Sequence, residues 1–365
     1  MTTGQTFALT GANGFLGWHV RLALNSLGHS FVDIPLGANF SEKEAKAALS
    51  QADHVIHLAG VNRGTDDEVE SGNVLFADQI SSAMRQSAGR IQSVTYANSI
   101  QALNPGVYGD AKSRASETLG QAAGDIKADY HNRLLPNLFG EHGRPFYNSV
   151  VATFCHLLAS GEGEPTVQQD KELQLLHAQD AADWLIGAID DSGAHSVLRT
   201  ANVSDLRDIL KSQSETYAAG EIPDIGNPFH RDLFNTYRSF IPARGVDLVK
   251  HSDDRGSFVE MIRSNGGTGQ SSFSTTLPGI SRGNHYHRRK VERFVVISGR
   301  AKLQLRRMFT NDVITIQTDG QPVSLDQPTG WTHNLKNMGD DTLFMFFWTN
   351  DIFDPNNADT FLEPV

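Results

Sequence analysis

The residues best spaced for chemistry lie late in the chain. His285 and His287 are one residue apart, so on a β-strand both imidazoles project from one face. Glu292 follows where Arg293-Phe-Val-Val-Ile-Ser298 begins a second strand that turns at Gly299. Folded back, that strand sets the carboxylate beside the imidazoles. His333, behind Pro328 and Gly330, offers a fourth ligand. Three imidazoles and a carboxylate suit Zn²⁺, or Fe, Mn or Ni with water completing the shell. Without a metal the same residues would be a histidine-rich barrel mouth.

A different chemistry is written at the other end. Thr10-Gly11-Ala-Asn13-Gly14-Phe15-Leu16-Gly17 follows a short apolar strand, Thr6 to Thr10, and precedes helical spacing from Trp18 to Leu27. Glycines placed there allow a tight turn, close approach of a pyrophosphate and a helix N-terminus with free N–H groups. Tyr108 and Lys112 are four apart and share a helix face. The ammonium is expected to lower the phenol pKa, so that the tyrosine exchanges a proton near neutral pH. Ser99 is placed to polarise the same carbonyl. In isolation a Tyr–Lys pair is only a solvated helix face; the glycine loop gives it a cofactor.

Two sets of elements must position these groups. Strands at Ser30 to Val32, His54 to Ala59, Ile91 to Ala97 and Tyr130 to Leu135 alternate with polar helical stretches, which predicts an α/β, doubly wound parallel sheet. From about Ser257 the chain becomes short strands split by Gly, Pro and Asp turns, which predicts an antiparallel barrel or sandwich. The linker is expected at Ser239 to Arg244, dividing the chain into residues 1–243 and 244–365. At 365 residues two cores are the default. A net charge of −11 argues against nucleic acid or an anionic membrane as partner. No apolar run approaches the roughly 18 residues of a membrane span, and no basic-then-apolar leader opens the chain. The single Cys155 fits a reducing compartment and reads as a core residue. A soluble cytoplasmic protein is expected.

The glycine loop, His57-Leu58-Ala59-Gly60, Ser99, the Tyr108/Lys112 pair and Arg133-Leu-Leu-Pro-Asn137-Leu-Phe-Gly140 resemble the extended short-chain dehydrogenase/reductases acting on nucleotide sugars. The resemblance implies a Rossmann fold with the cofactor on Gly11, Asn13, Gly14, Phe15, Leu16, Gly17, Leu58 and Ala59. It implies Tyr108 as proton donor, Lys112 holding the nicotinamide ribose and Ser99 orienting the substrate carbonyl. Asn137 would lie near the sugar-nucleotide diphosphate, with Arg144 a further candidate. Two departures stand out. The interval from Ser99 to Tyr108 is short for the family, and Pro35 falls where an acid usually meets the adenosine ribose. The second favours NADPH, leaving NADH possible, although no arginine follows to grip a 2′-phosphate.

Gly279-x5-His285-x-His287-x4-Glu292-x6-Gly299 resembles the first cupin motif, and Pro328-x-Gly330-x2-His333-x3-Asn337 the second. Asp253-Asp254-Arg255-Gly256-Ser257-Phe258 and Arg282-Gly283 resemble sugar-nucleotide 3,5-epimerases, by which Arg255 and Arg282 would hold diphosphate oxygens. Lys290, Tyr286 and Glu260 are candidate acid/base groups, Lys290 foremost. A Rossmann reductase fused to a metal cupin, with Gly60-Val-Asn-Arg63, Asn98 to Ala102 and Phe353-Asp-Pro-Asn356, resembles the CapF/WbjC family over nearly the whole chain. That resemblance implies a homodimeric enzyme of capsular or O-antigen polysaccharide assembly. Its cupin would epimerise a UDP-2-acetamido-2,6-dideoxy-4-hexulose at C3, and its Rossmann domain would reduce the C4 ketone with NADPH toward UDP-N-acetyl-L-fucosamine. Two other readings are open: a dehydratase or 4-epimerase whose cupin is scaffolding, and a sugar-sensing cupin protein without catalysis.

Overall fold

The computed structural model describes residues 4–87, 91–254 and 256–365. By Cα proximity the chain divides into two compact units, one of residues 1–138 with 173–200, the other of residues 139–172 with 201–365.

In the first unit, β1 (Thr6–Thr10), α1 (Phe15–Ser26), β2 (Ser30–Asp33), α2 (Glu42–Leu49), β3 (His54–His57), α3 (Asp66–Gln86), β4 (Ser93–Ser99), α4 (Val107–Asp125) and β5 (Asp129–Leu135) alternate as expected. The five strands form one sheet, order β2-β1-β3-β4-β5, and every pairing is parallel. Side chains alternate across it and fill two cores. Ala8, Val55 and Val94 pack with Ile80 and Leu119 of α3 and α4 on one face. Phe7, Leu9 and Ile56 pack with Val20 and Leu24 of α1 on the other. Coverage on both faces explains why these strands read as unbroken apolar runs. The order of strand addition reverses between β1 and β3, so the loops leaving those parallel strands flank a crevice at their carboxyl ends.

After β5 come β6 (Asn137–Phe139), α5 (Val150–Ser160), β7 (Glu172–His177), α6 (Ala178–Leu185), α7 (Asp191–Val197), β8 (Arg199–Asn202), α8 (Val203–Ala218) and α9 (Pro228–Arg238), with β6, β7 and β8 forming a small sheet in that order. Cys155 is buried in α5, and burial pushes its thiol pKa up, so it is inert core rather than nucleophile.

The rest of the second unit is all strand: β9 (Val246–Asp247), β10 (Lys250–Asp253), β11 (Gly256–Val259), β12 (Gln270–Thr276), β13 (Ser281–Tyr286), β14 (Glu292–Ser298), β15 (Ala301–Arg307), β16 (Val313–Gln317), β17 (Val323–Gln327), β18 (Trp331–Asn337), β19 (Leu343–Thr349) and β20 (Phe361–Leu362). Two five-stranded antiparallel sheets, β12-β19-β14-β17-β9 and β16-β15-β18-β13-β20, enclose a core of Phe294, Val296, Leu303, Leu305, Leu325, Leu335 and Met345. Every second residue of β15 is buried, the signature of a strand with one wet face. Among the described residues no helix is long and apolar enough to cross a membrane.

Candidate active sites

In the first unit β1 delivers the chain into the glycine loop. Gly11 has φ +72°, and a Cβ on it would lie 2.8 Å from the Ala59 amide nitrogen. At Gly17 a Cβ would fall 2.3 Å from the Gly11 carbonyl oxygen, so α1 packs onto its own loop only because position 17 has no side chain. Gly14 caps α1 without a side-chain hydrogen bond, and no acid occupies the first turn. The positive helix end is left for an anion. Across the crevice, the amides of Leu58 and Ala59 donate to Thr10 Oγ1 at 3.2 and 3.3 Å. That hydroxyl also bonds His57 Nδ1 at 2.8 Å, fixing the loop after β3 against the glycine loop.

Ser99, Tyr108 and Lys112 converge at the ends of β4 and α4. Ser99 closes β4, accepts a hydrogen bond from the Gln101 amide at 3.2 Å and is hydrogen-bonded to Tyr108. The short interval between them is filled by a tight 3₁₀ turn at Ile100–Leu103. A Cβ on Gly109 would lie 2.2 Å from the Asn104 carbonyl oxygen, so glycine there lets the turn lie flat on α4. Lys112 is buried; Nζ donates to the Ala97 carbonyl at 3.0 Å and stands 4.2 Å from the Tyr96 ring centroid. Nζ is also 3.9 Å from where a Cβ on Gly60 would be, which places the lysine against the loop that carries Leu58 and Ala59.

The electrostatics differ from expectation. Burial raises the Tyr108 pKa, opposed only by the Ser99 hydrogen bond, and Lys112 is not among the causes. Lys112 is itself brought down from 10.5 to about 7 by burial, so its charge is only partly present at neutral pH. Without cofactor, then, the lysine does not lower the phenol pKa; Ser99 is the group that acts on it.

In the second unit β13 and β18 pair so that His285 faces His333 directly. A bulge lies between Gly283 and His285, with Gly283 at φ +100° and Asn284 at φ +60°. Bulges re-aim the following side chain, and a Cβ on Gly283 would stand 2.7 Å from the His333 carbonyl oxygen. His287 lies just past the strand, in the turn leading to Glu292 at the start of β14. One ligand atom from each of His285, His287 and Glu292 lies within 4.8 Å of the others. His333 is not in that group, yet its ring is 4.4 Å from the His285 ring and its buried Nδ1 has no hydrogen-bond partner among the described residues.

Burial brings the His285 pKa down to about 4, with His287 adding to the effect, and that of His333 to about 3, with His285 adding. Burial alone would raise Glu292, but the hydrogen bond and charge of His287 bring it to about 2. Neutral imidazoles at His285 and His333, an ionised Glu292 carboxylate and the orphaned Nδ1 of His333 are donor states that suit a transition metal. His287 Nε2 meets Glu292 Oε2 at 2.9 Å, while Nδ1 meets the Asp359 backbone carbonyl. An Nδ1–H donated to that carbonyl leaves Nε2 as the ligating nitrogen. The Asp359 carboxylate also accepts from the amides of Arg288, Arg289 and Lys290 at 2.9, 2.7 and 2.7 Å, holding the turn between His287 and Glu292.

Two hollows flank Glu292. One, of about 270 Å³, has Lys290, Phe347, Asp351 and Asp354 in its wall; the other, of about 60 Å³, has Arg282, His285, Phe294 and His333. Lys290 Nζ donates to Thr360 Oγ1 at 3.2 Å, and Arg282 Nη1 to the Thr275 carbonyl at 3.1 Å.

Residues 7–203 match the NAD dependent epimerase/dehydratase family, and residues 251–361 the polysaccharide biosynthesis C-terminal domain. The chain is 33% identical over 363 residues to a UDP-2-acetamido-2,6-beta-L-arabino-hexul-4-ose reductase of Pseudomonas aeruginosa, covering 97% of both chains. Its structure resembles a capsular polysaccharide assembling protein, CapF from Staphylococcus aureus, with TM-score 0.62, 32% identity and coverage of 98% and 100% of the two chains. The chain belongs to the CapF/WbjC family. A shorter relative, the spore coat polysaccharide biosynthesis protein SpsL of Bacillus subtilis, is 29% identical over 122 residues, 81% of its own length.

Within that family assignment the remaining sequence-derived residues fare differently. Asn137 is exposed, its Nδ2 donating to the Gln174 carbonyl at 3.0 Å. Arg144 belongs to the second unit and stacks 4.6 Å from the Tyr147 ring. Arg255 lies outside the described residues. The reading of Pro35 as the ribose position needs correction: β2 stops at Asp33, whose carboxylate accepts from Asn13 Nδ2 in the glycine loop at 2.9 Å. An acid does stand beside the cofactor loop. Thr10, Asp33 and Asp359 were not expected as site residues. Thr10 could have been found from its place at the carboxyl end of β1, whereas the role of Asp359 depends on contacts seventy residues away.

Proposed function

We propose that this CapF/WbjC member is a bifunctional nucleotide-sugar enzyme, with a cupin of residues 244–365 that epimerises UDP-2-acetamido-2,6-dideoxy-4-hexulose at C3 and a reductase of residues 1–243 that then reduces the C4 ketone. The observation that carries the reading is the presence in one chain of both the Ser99–Tyr108–Lys112 group and the His285–His287–Glu292 cluster. The order follows from chemistry, because the ketone acidifies C3 and must survive until epimerisation is complete.

At the cupin, removal of the C3 proton leaves negative charge on the C4 oxygen, and donors aimed at that oxygen lower the barrier. Lys290, in the hollow beside Glu292, supplies that charge and is also the acid/base candidate. Arg255 joins Arg282 in gripping the diphosphate. His285, His287, Glu292 and His333 would hold a Zn²⁺, whose chemistry when bound is Lewis-acid stabilisation of an oxyanion. At the reductase, Ser99 orients the ketone and Tyr108 gives its proton to the oxygen. Asn137 is the candidate to hold the substrate diphosphate there. The glycine loop would hold the pyrophosphate of NADPH, or of NADH, and Lys112 its nicotinamide ribose; the cofactor would supply the hydride. The enzyme is read as a cytoplasmic homodimer contributing to capsule or O-antigen assembly.

The test is incubation with the UDP-4-hexulose, following products by NMR. In heavy water without nicotinamide, full-length Tyr108→Phe should exchange the C3 proton for deuterium and form no alcohol. Exchange that requires NADPH or Tyr108 would place epimerisation at the wrong site and overturn the division of labour.

A further inference from the structure

Away from both sites, the second unit contains a cavity of about 370 Å³ bounded by α5, α8, α9, the chain at 241–248 and the outer faces of β14 and β17. Its charged lining is unbalanced. Arg238, Arg244 and Arg293 face the single carboxylate of Asp326, an excess of two positive charges. Asp326 is already committed: Arg293, its cross-strand neighbour, grips it through Nε and Nη2 at 2.6 and 2.8 Å, and Tyr217 donates its hydroxyl at 2.7 Å. Arg293 Nη1 donates to the Gly220 carbonyl at 3.0 Å.

Arg238 is different. It is 4% exposed, and its Nη2 donates to the Gln327 carbonyl, but Nη1 is buried with no hydrogen-bond partner among the described residues. The nearby Asp326 carboxylate is felt by Arg238 but is already gripped by Arg293 and Tyr217, and a buried guanidinium nitrogen with no hydrogen-bond partner is costly. Arg244, exposed beside it, adds a second unmatched cation. The remaining wall is mainly apolar, with Leu158, Ile241 and Pro242, and Tyr237 and Ser324 add hydroxyls. A ligand matching this wall has a doubly charged, multiply accepting head and a small body. A phosphate head provides both, and arginine forks fit its oxygens.

We propose that this cavity is a binding site for a small phosphomonoester, with Arg238 and Arg244 holding the phosphate. It is separate from the metal cluster, since Arg293 points away from the face on which its neighbour Glu292 meets the histidines.

The probe is inorganic phosphate, titrated by calorimetry and ³¹P NMR at constant ionic strength, with UDP and NADP⁺ saturating so that the catalytic sites are filled. Wild type should bind phosphate saturably, Arg238→Met at least about 10-fold more weakly and Arg244→Gln about 3-fold more weakly, the usual range for loss of one charge-assisted contact. Arg244 is exposed, so its variant reports even if Arg238→Met does not fold. No saturable binding in wild type, or phosphate affinity unchanged in Arg244→Gln, would overturn the assignment and leave Arg238 as a structural cation.

Discussion

Lys112→Met should make the cofactor-free protein more stable at neutral and acid pH while disabling the reductase. Burial lowers the lysine from 10.5 to about 7. A separation of about 3.5 in pKa corresponds to ~5 kcal/mol spent on keeping the charged amine folded, taken as an upper bound. Methionine removes that cost at similar volume, but orphans the Ala97 carbonyl and loses the contact with Tyr96, together worth about 2–4 kcal/mol. The net gain should be of order 2 kcal/mol below pH 7. Between about 7 and 10.5 the unfolded chain holds the proton that the folded chain has released, so wild-type stability rises with pH across that window. Near pH 10 the wild type carries a neutral lysine that still donates to Ala97, and the order reverses by ~1 kcal/mol. Urea unfolding at pH 6, 7.5 and 10, together with amide exchange in β4, measures this. A variant less stable than wild type at pH 6, or a difference that does not change with pH, would refute the reasoning.

Three further outcomes are expected. Elemental analysis should find about one metal per chain, retained at pH 5.5 because His285 and His333 gain protons only near pH 4 and 3, and His333→Ala should lower that content; loss by pH 6, as for solvent-exposed histidines, would contradict the buried cluster. Asp33→Ser should shift the ratio of kcat/KM for NADPH over NADH upward by roughly 10-fold, by removing a carboxylate from beside the glycine loop; an unchanged ratio would show that Asp33 does not face the adenosine ribose. Gly17→Ala should weaken cofactor binding by on the order of 100-fold, since its methyl would fall 2.3 Å from a backbone oxygen and displace the loop; binding within about 3-fold of wild type, by fluorescence titration, would argue otherwise.

Much of this arrangement is legible from local spacing. The parallel sheet follows from apolar runs such as His54–His57, and the cupin strands from alternation as in Ala301–Arg307. The glycine loop and the cupin histidines announce themselves because each is compact in sequence. What spacing does not carry is the effect of burial. Lys112 and Tyr108 lie on one helix as expected, but desolvation reverses the predicted direction of the phenol pKa. Nor does spacing reveal where a strand stops: β2 ends at Asp33 through its register with Leu9, and that alone decides whether an acid reaches the cofactor loop. Arg238 reads as an ordinary last-turn helix cation until α9 is packed.

The grip of Asp359 on the amides of residues 288–290 also sets an order of events in synthesis. A ribosome works from the N-terminus, and domains on the growing chain fold as they emerge. His285, His287 and Glu292 emerge about seventy residues ahead of the group that shapes the turn joining them. The metal proposed for this cluster would therefore meet its ligands on an unshaped loop until Asp359 has been translated and docked. Under that proposal ion choice would be a matter of timing as well as affinity, and a change that delays docking of that late segment would lengthen the interval in which the wrong ion can enter.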